Sequence, residues 1–145
     1  MKIFTIGFTK KSASDFFGKL KTPGIRRVVD VRLNNVSQLA GFAKRDDLRF
    51  FLQTICNIEY VHLPLLAPTQ EMLDTYRKAK GGWDNYETQF LDLMAQRRIE
   101  TEVSRGVIDG GCLLCSEETP ERCHRRLVAE YLNKKWGDVQ IQHLV

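Results

Sequence analysis

No apolar run in the sequence approaches the ~20 residues that a bilayer span requires, so no membrane association is expected. The opening MKIFTIGFTKKS has too short an apolar stretch for a signal peptide and reads as a strand. A cytoplasmic protein is expected on that basis. Internal repeats, low-complexity segments and linkers are also missing. The 145 residues, 43% of them hydrophobic, suit one domain with one core. The Gly-Gly pair at 81–82 reads as a turn between helices rather than a boundary.

A strong excess of one charge is lacking too. The net charge is +4 and the isoelectric point about 8.9. A dedicated nucleic-acid binder usually carries a basic stripe interleaved with aromatics. Here the Arg pairs at 26–27 and 97–98 and the Lys pair at 134–135 fall on different elements. A nucleic-acid partner is thus only weakly supported, and solvated helix faces explain these charges better.

Cysteine is sparse, at four residues, and a reducing compartment keeps such residues as thiols by default. Three of the four fall in GCLLCSEETPERCHRR, 111–126, with three glutamates, three arginines and a histidine. That concentration makes the stretch the candidate functional centre.

Strand and helix alternate along the chain. KIFTIGF (2–8) and RRVVDVR (26–32) read as buried strands, the second with Val28, Val29 and Val31 for a sheet covered on both faces. Ser12 caps a short helix through about Leu20, and RDDLRFFLQTIC (45–56) is amphipathic. IEYVHLP (58–64) is a third strand. Thr69 caps a helix to about Lys80, and a longer helix runs from about Trp83 to Ser104. Its stripe of Tyr86, Phe90, Leu93 and Met94 reads as core. GCLLCSE (111–117) is a fourth strand, PERCHRRLVAEYLNKKW (120–136) a helix with Pro120 at its first position, and VQIQHL (139–144) a fifth strand. The expectation is an α/β fold: a mostly parallel sheet of four to five strands flanked by helices.

In such sheets ligands bind outside the carboxyl ends of the strands. Those ends carry Gly7-Phe8-Thr9, Asp30-Val31-Arg32, Leu63-Pro64 and Cys115-Ser116-Glu117. The arrangement gathers most of the reactive side chains on one rim.

Zinc is disfavoured by spacing. Cys112 and Cys115 lie in a strand, where positions three apart face opposite ways. Adjacent Cys123 and His124 diverge by about a hundred degrees on a helix. No metal and no cofactor is called for. A thioredoxin-like motif opens a helix, whereas this C-x-x-C lies in a strand. Phosphoester hydrolysis through Cys115 is opposed by the carboxylates of SEETPE, because a helix N-terminus offers only about half a positive charge. Cys115 and Cys123 form the better sulfur pair, their backbones close enough to approach disulfide range.

The last helix turns Leu127, Val128, Tyr131 and Leu132 inward. Extending that face back one turn lands on His124, with Cys123 on one flank and Arg125 on the other. Three functional readings stay open. One is an enzyme for a small anionic, nucleotide-like ligand, with Glu117 and His124 doing acid–base or nucleophilic work beside Asp30 and Arg32. Thr9 and the lysines after it would help to bind the anion. A second is thiol redox or sensing chemistry on Cys115 and Cys123. A third is a nucleic-acid-associated module.

TIGF at 5–8, DVR at 30–32 followed by Ser37, and LLCSEETPERCHRR at 113–126 together resemble the DUF488 family, with its TIGHS, DVRxxPxS and LLCxExxPxxCHR motifs. The resemblance implies a small α/β domain and no particular activity. It marks Gly7, Asp30, Arg32, Ser37, Cys115, Glu117, Cys123, His124 and Arg125 as site positions. Two residues depart from the pattern: Phe8 stands where the family usually has His, and Asn35 where it usually has Pro. A phenyl ring at the rim packs, or stacks on a base or sugar.

Overall fold

A computed structural model of the chain describes residues 1–35, 41–79, 82–117 and 119–145. The strands are β1 (Lys2–Gly7), β2 (Arg27–Asp30), β3 (Glu59–His62), β4 (Gly111–Cys115) and β5 (Gln140–Leu144). They form one sheet in the order β3-β2-β4-β1-β5, and every neighbouring pair is parallel. The α/β class read from the sequence is the observed one, with five strands.

The helices are α1 (Ala13–Lys19), α2 (Arg45–Phe51), α3 (Gln70–Ala79), α4 (Gly82–Arg97), α5 (Ile99–Glu102), α6 (Arg105–Ile108) and α7 (His124–Trp136). Strand alternation sends side chains to two separate cores. Phe4, Ile6, Val28, Cys112 and Leu114 meet Phe16 and Phe17 of α1 and Leu48 of α2. Ile3, Val29, Leu113 and Cys115 meet α4 and α7 on the other face. Cys112 and Cys115 therefore point to opposite sides of β4, as their spacing requires.

Ser12 caps α1 by accepting from the Asp15 amide, and Thr69 accepts from the Met72 amide at the start of α3. α2 continues into a π turn over Leu52–Cys56 that stops at Asn57, φ 54°.

Two expected helices need correction. The helix anticipated from Trp83 to Ser104 breaks at Arg98, whose φ of 53° is left-handed. Neither Gly nor Pro marks the spot. The turn lets the fully buried Ile99 enter the core, and Ser104 then precedes α6. The helix anticipated from Pro120 begins at His124 instead. Cys123 is its extended N-cap, φ −142° and ψ 138°. Arg126 straps the preceding turn to the helix, donating to the carbonyls of Pro120 at 3.2 Å and Glu121 at 3.0 Å.

α1 and α2 cover one face of the sheet, and α4 and α7 cover the other. The connections leaving β1 and β4 thus depart to opposite faces, although the two strands are neighbours. A crevice opens at such a switch point. At it, Gly7 pairs with Cys115, and Asp30 lies opposite Leu114 and His62.

Candidate functional site

Beyond β4 the chain passes close over the end of β1. A Cβ on Gly7 would overlap the Glu117 carbonyl oxygen and lie 2.8 Å from an Arg125 nitrogen. Gly7 therefore permits a close backbone approach that a side chain would block. Thr9 is used in the same way. Its amide donates to the Ser116 carbonyl at 3.1 Å, and its hydroxyl donates to the same oxygen.

Cys115 ends β4 and Cys123 caps α7, and the two are joined as a disulfide. They are 1% and 2% exposed, and both line the cleft described below. Arg125, read from the sequence as a flank residue, is completely buried beneath them. Its Nη1 lies 3.1 Å from Cys115 Sγ and 3.4 Å from Cys123 Sγ, and donates to the Glu117 carbonyl at 2.8 Å. Burial lowers this guanidinium to about 10, so it stays a cation at neutral pH. It is not among the residues lining the cleft, and it contacts both sulfurs and the Glu117 backbone. Helical geometry assigned it to a flank; a fixed cation among sulfur and carbonyl acceptors is a tertiary fact that periodicity does not encode.

Asp30 is fully buried and saturated. It accepts from Arg32 Nε at 2.8 Å, Arg32 Nη2 at 2.7 Å and the Arg32 amide at 3.1 Å. The Tyr60 hydroxyl donates to it at 2.5 Å. Asn35 extends the chain, donating to the Tyr60 oxygen at 3.1 Å. The residue that replaces the family's proline thus works inside the network. Burial and the Asp30 carboxylate push the Tyr60 hydroxyl well above its ordinary value. Asp30 orients Arg32, and every acceptor it has is engaged. The Arg32 guanidinium carbon lies 5.6 Å from the centre of the Phe8 ring, so Phe8 packs as a cation–π partner.

His124 points beneath the helix start, as its place on the inward face of α7 suggests. Its Nε2 donates to the Val31 carbonyl at 2.7 Å, and Phe90 packs against its ring. Burial drives its pKa down to about 4, with the Arg125 charge in the same direction and the Val31 carbonyl and Asp30 opposing. The imidazole is neutral at physiological pH, and its Nδ1 carries the lone pair.

A cleft of about 460 Å³ opens above these groups. Cys115, Cys123, Glu117 and His124 border it, together with Arg32. Tyr76 of α3 and Trp83 and Tyr86 of α4 line it as well, and Arg77 and Arg122 in the lining are exposed. Trp83 and Tyr86 are stacked with centroids 5.1 Å apart. Tyr86 is a buried core residue, as its helical spacing suggests; what the spacing does not show is that it, Trp83 and Tyr76 also line the cleft. The aromatic cluster exists because Tyr76 of α3 meets Trp83 and Tyr86 of α4, and no local pattern records that contact. Gly7, Phe8, Thr9 and Arg125 do not border the cleft. Ser37 lies outside the described residues.

Cys115, Cys123 and His124 offer three ligand atoms within 4.8 Å of one another. Helical spacing separates Cys123 from His124, but Cys123 is the extended N-cap rather than a helical residue, and the three atoms converge. With the sulfurs bonded to each other and the Arg125 cation against both of them, the cluster disfavours a cation in this state.

Residues 12–132 match the family described as a domain of unknown function, DUF488. The chain belongs to that family. No curated protein and no solved structure matches it. No helix among the described residues is long and apolar enough to cross a membrane.

Proposed function

We propose that this protein carries out thiol–disulfide redox chemistry on the Cys115–Cys123 pair, beneath a cleft that holds a small anionic ligand. The observation that carries the reading is the Nη1 of Arg125, set 3.1 and 3.4 Å from the two sulfurs by a fully buried side chain. A fixed cation at that distance favours thiolate over thiol, and thiolate is the reactive species.

The chemistry balances with a dithiol donor. A donor thiolate attacks one sulfur of the disulfide, the Cys115–Cys123 bond breaks, and the released thiolate rests against Arg125. The second donor thiolate then displaces the remaining cysteine sulfur. The donor leaves as a disulfide, and the pair has gained two electrons and two protons. The reverse sequence passes them to a disulfide acceptor.

The acid–base alternative built on Glu117, His124 and Asp30 fits less well. Asp30 has no free acceptor, and His124 is neutral and tied to Val31. Glu117 alone is an exposed carboxylate at the cleft, available to exchange a proton with a bound ligand.

The test is the mass of the denatured protein after purification without reductant. A deficit of two hydrogens, mapped to the peptides holding Cys115 and Cys123, should vanish with dithiothreitol and return with a thiol oxidant. Cys123→Ser should abolish the cycle. Four free thiols that never pair under oxidant would overturn the reading, and a Glu117→Gln variant that lost turnover while redox cycling persisted would favour the acid–base alternative.

A further inference from the structure

Arg32 is 4% exposed, and two of its three guanidinium nitrogens are spent on Asp30. Its third, Nη1, is buried with no hydrogen-bond partner among the described residues. A buried donor without an acceptor costs about 1–3 kcal/mol, more when charged. Such a donor in a residue bordering a cleft asks for an acceptor from the cleft. Asp30 and Tyr60 hold the guanidinium rigidly, so its orientation is set before any ligand arrives.

The Tyr76, Trp83 and Tyr86 rings line the same cleft and form a continuous aromatic cluster, with neighbouring centroids 5.1–6.0 Å apart. Arg77 and Arg122 add positive charge at the mouth against the carboxylate of Glu117. The lining therefore offers both a partly exposed indole for a flat π system and a preset cationic donor. A volume of about 460 Å³ lies within the range of small-ligand sites, roughly 300–1,000 Å³.

We infer that the cleft takes a planar aromatic ring bearing an acidic group, with the acid on Arg32 Nη1 and the ring against Trp83, which Tyr86 backs from the core. A nucleoside monophosphate is the class that fits. The inference rests on the anionic ligand of the preceding reading and specifies its chemistry. The shared chemistry, ring plus anion, could also come from an aromatic carboxylate, and the experiment separates the two.

Binding would be followed by calorimetry with four probes: adenosine 5′-monophosphate, adenosine, inorganic phosphate and benzoate. The monophosphate should bind at least tenfold more tightly than adenosine or phosphate alone. Benzoate binding in its place would keep the class and name the carboxylate as its source. Arg32→Lys retains a charge for Asp30 but loses the spare corner, and should cost about tenfold for the anion and little for adenosine. Trp83→Leu should weaken every aromatic probe and leave phosphate unchanged. Equal affinity for adenosine and its monophosphate would overturn the inference, as would no binding by any probe. The charge series on the natural protein decides the matter even if Arg32→Lys fails to fold. Titrations on fully reduced and fully oxidised protein keep ligand binding and redox cycling as separate results.

Discussion

Arg125 Nη1 stands 3.1 Å from Cys115 Sγ inside the protein, and the geometry of the site follows from that contact. The same nitrogen reaches Cys123 and the Glu117 carbonyl. One side chain thus ties the end of β4, the loop after it and the cap of α7. Its removal should be felt first in sulfur reactivity. In reduced protein, Arg125→Met should move the pH profile of cysteine alkylation upward by about one pH unit or more, because the thiolate loses its nearest cation. Iodoacetamide labelling of Cys115 and Cys123, read peptide by peptide, measures this. An unmoved profile would show that the cation is structural only.

Asp30 should prove an orienting group rather than a proton carrier. Asp30→Asn leaves the Arg32 cation buried against a neutral partner, and breaking a buried pair in this way costs about 3–5 kcal/mol. Tyr60→Phe removes one donor to Asp30 and spares the ion pair, so about 1–2 kcal/mol is expected. Urea unfolding of the two variants should preserve that order.

The strands and most helix starts were legible in the sequence because their causes are local. Val28 and Val29 with a β-branched strand pattern, and the Ser12 and Thr69 caps, act within a few residues. The rim position of Asp30, Cys115 and Glu117 followed from the parallel topology. What stayed hidden depends on distant partners. Arg98 turns left-handed because Ile99 must reach the core. Arg125 is buried because two sulfurs and a carbonyl wait for it. Trp83 borders the cleft beside Tyr76 of α3, a residue seven positions away on another helix. Charged residues are almost never fully buried unless paired, and helical periodicity by itself takes Arg125 no further inward than a flank.

Glycines at 7 and 18 should respond in opposite directions to the same substitution. A methyl group at Gly7 meets the Glu117 backbone, which cannot yield as a flexible side chain would. Gly7→Ala is expected to lose at least about 1–3 kcal/mol. At Gly18, within α1, nothing lies within 4 Å of the added carbon. Gly18→Ala should gain about 0.5–1 kcal/mol from helix propensity. Thermal melts of the pair, run under one buffer, compare the two signs directly.

The histidine beneath the cleft should give the protein a definite acid limit. Folding lowers the His124 pKa from the ordinary 6.5 to about 4, because burial disfavours the imidazolium. The unfolded chain therefore binds the proton first as pH falls. The contribution is fully present above pH 6.5 and is lost between 6.5 and about 4, amounting to roughly 3 kcal/mol across the window. His143 is also lowered by burial, so the natural protein alone does not isolate His124. His124→Gln does: its amide can still donate to the Val31 carbonyl, and it has no proton to gain. Unfolding midpoints in urea at pH 7.5 and pH 4.5 should converge for the two proteins, the natural one losing more stability on acidification. Parallel losses in both would mean that His124 is already free to charge in the fold, and that its bond to Val31 does not hold the ring neutral.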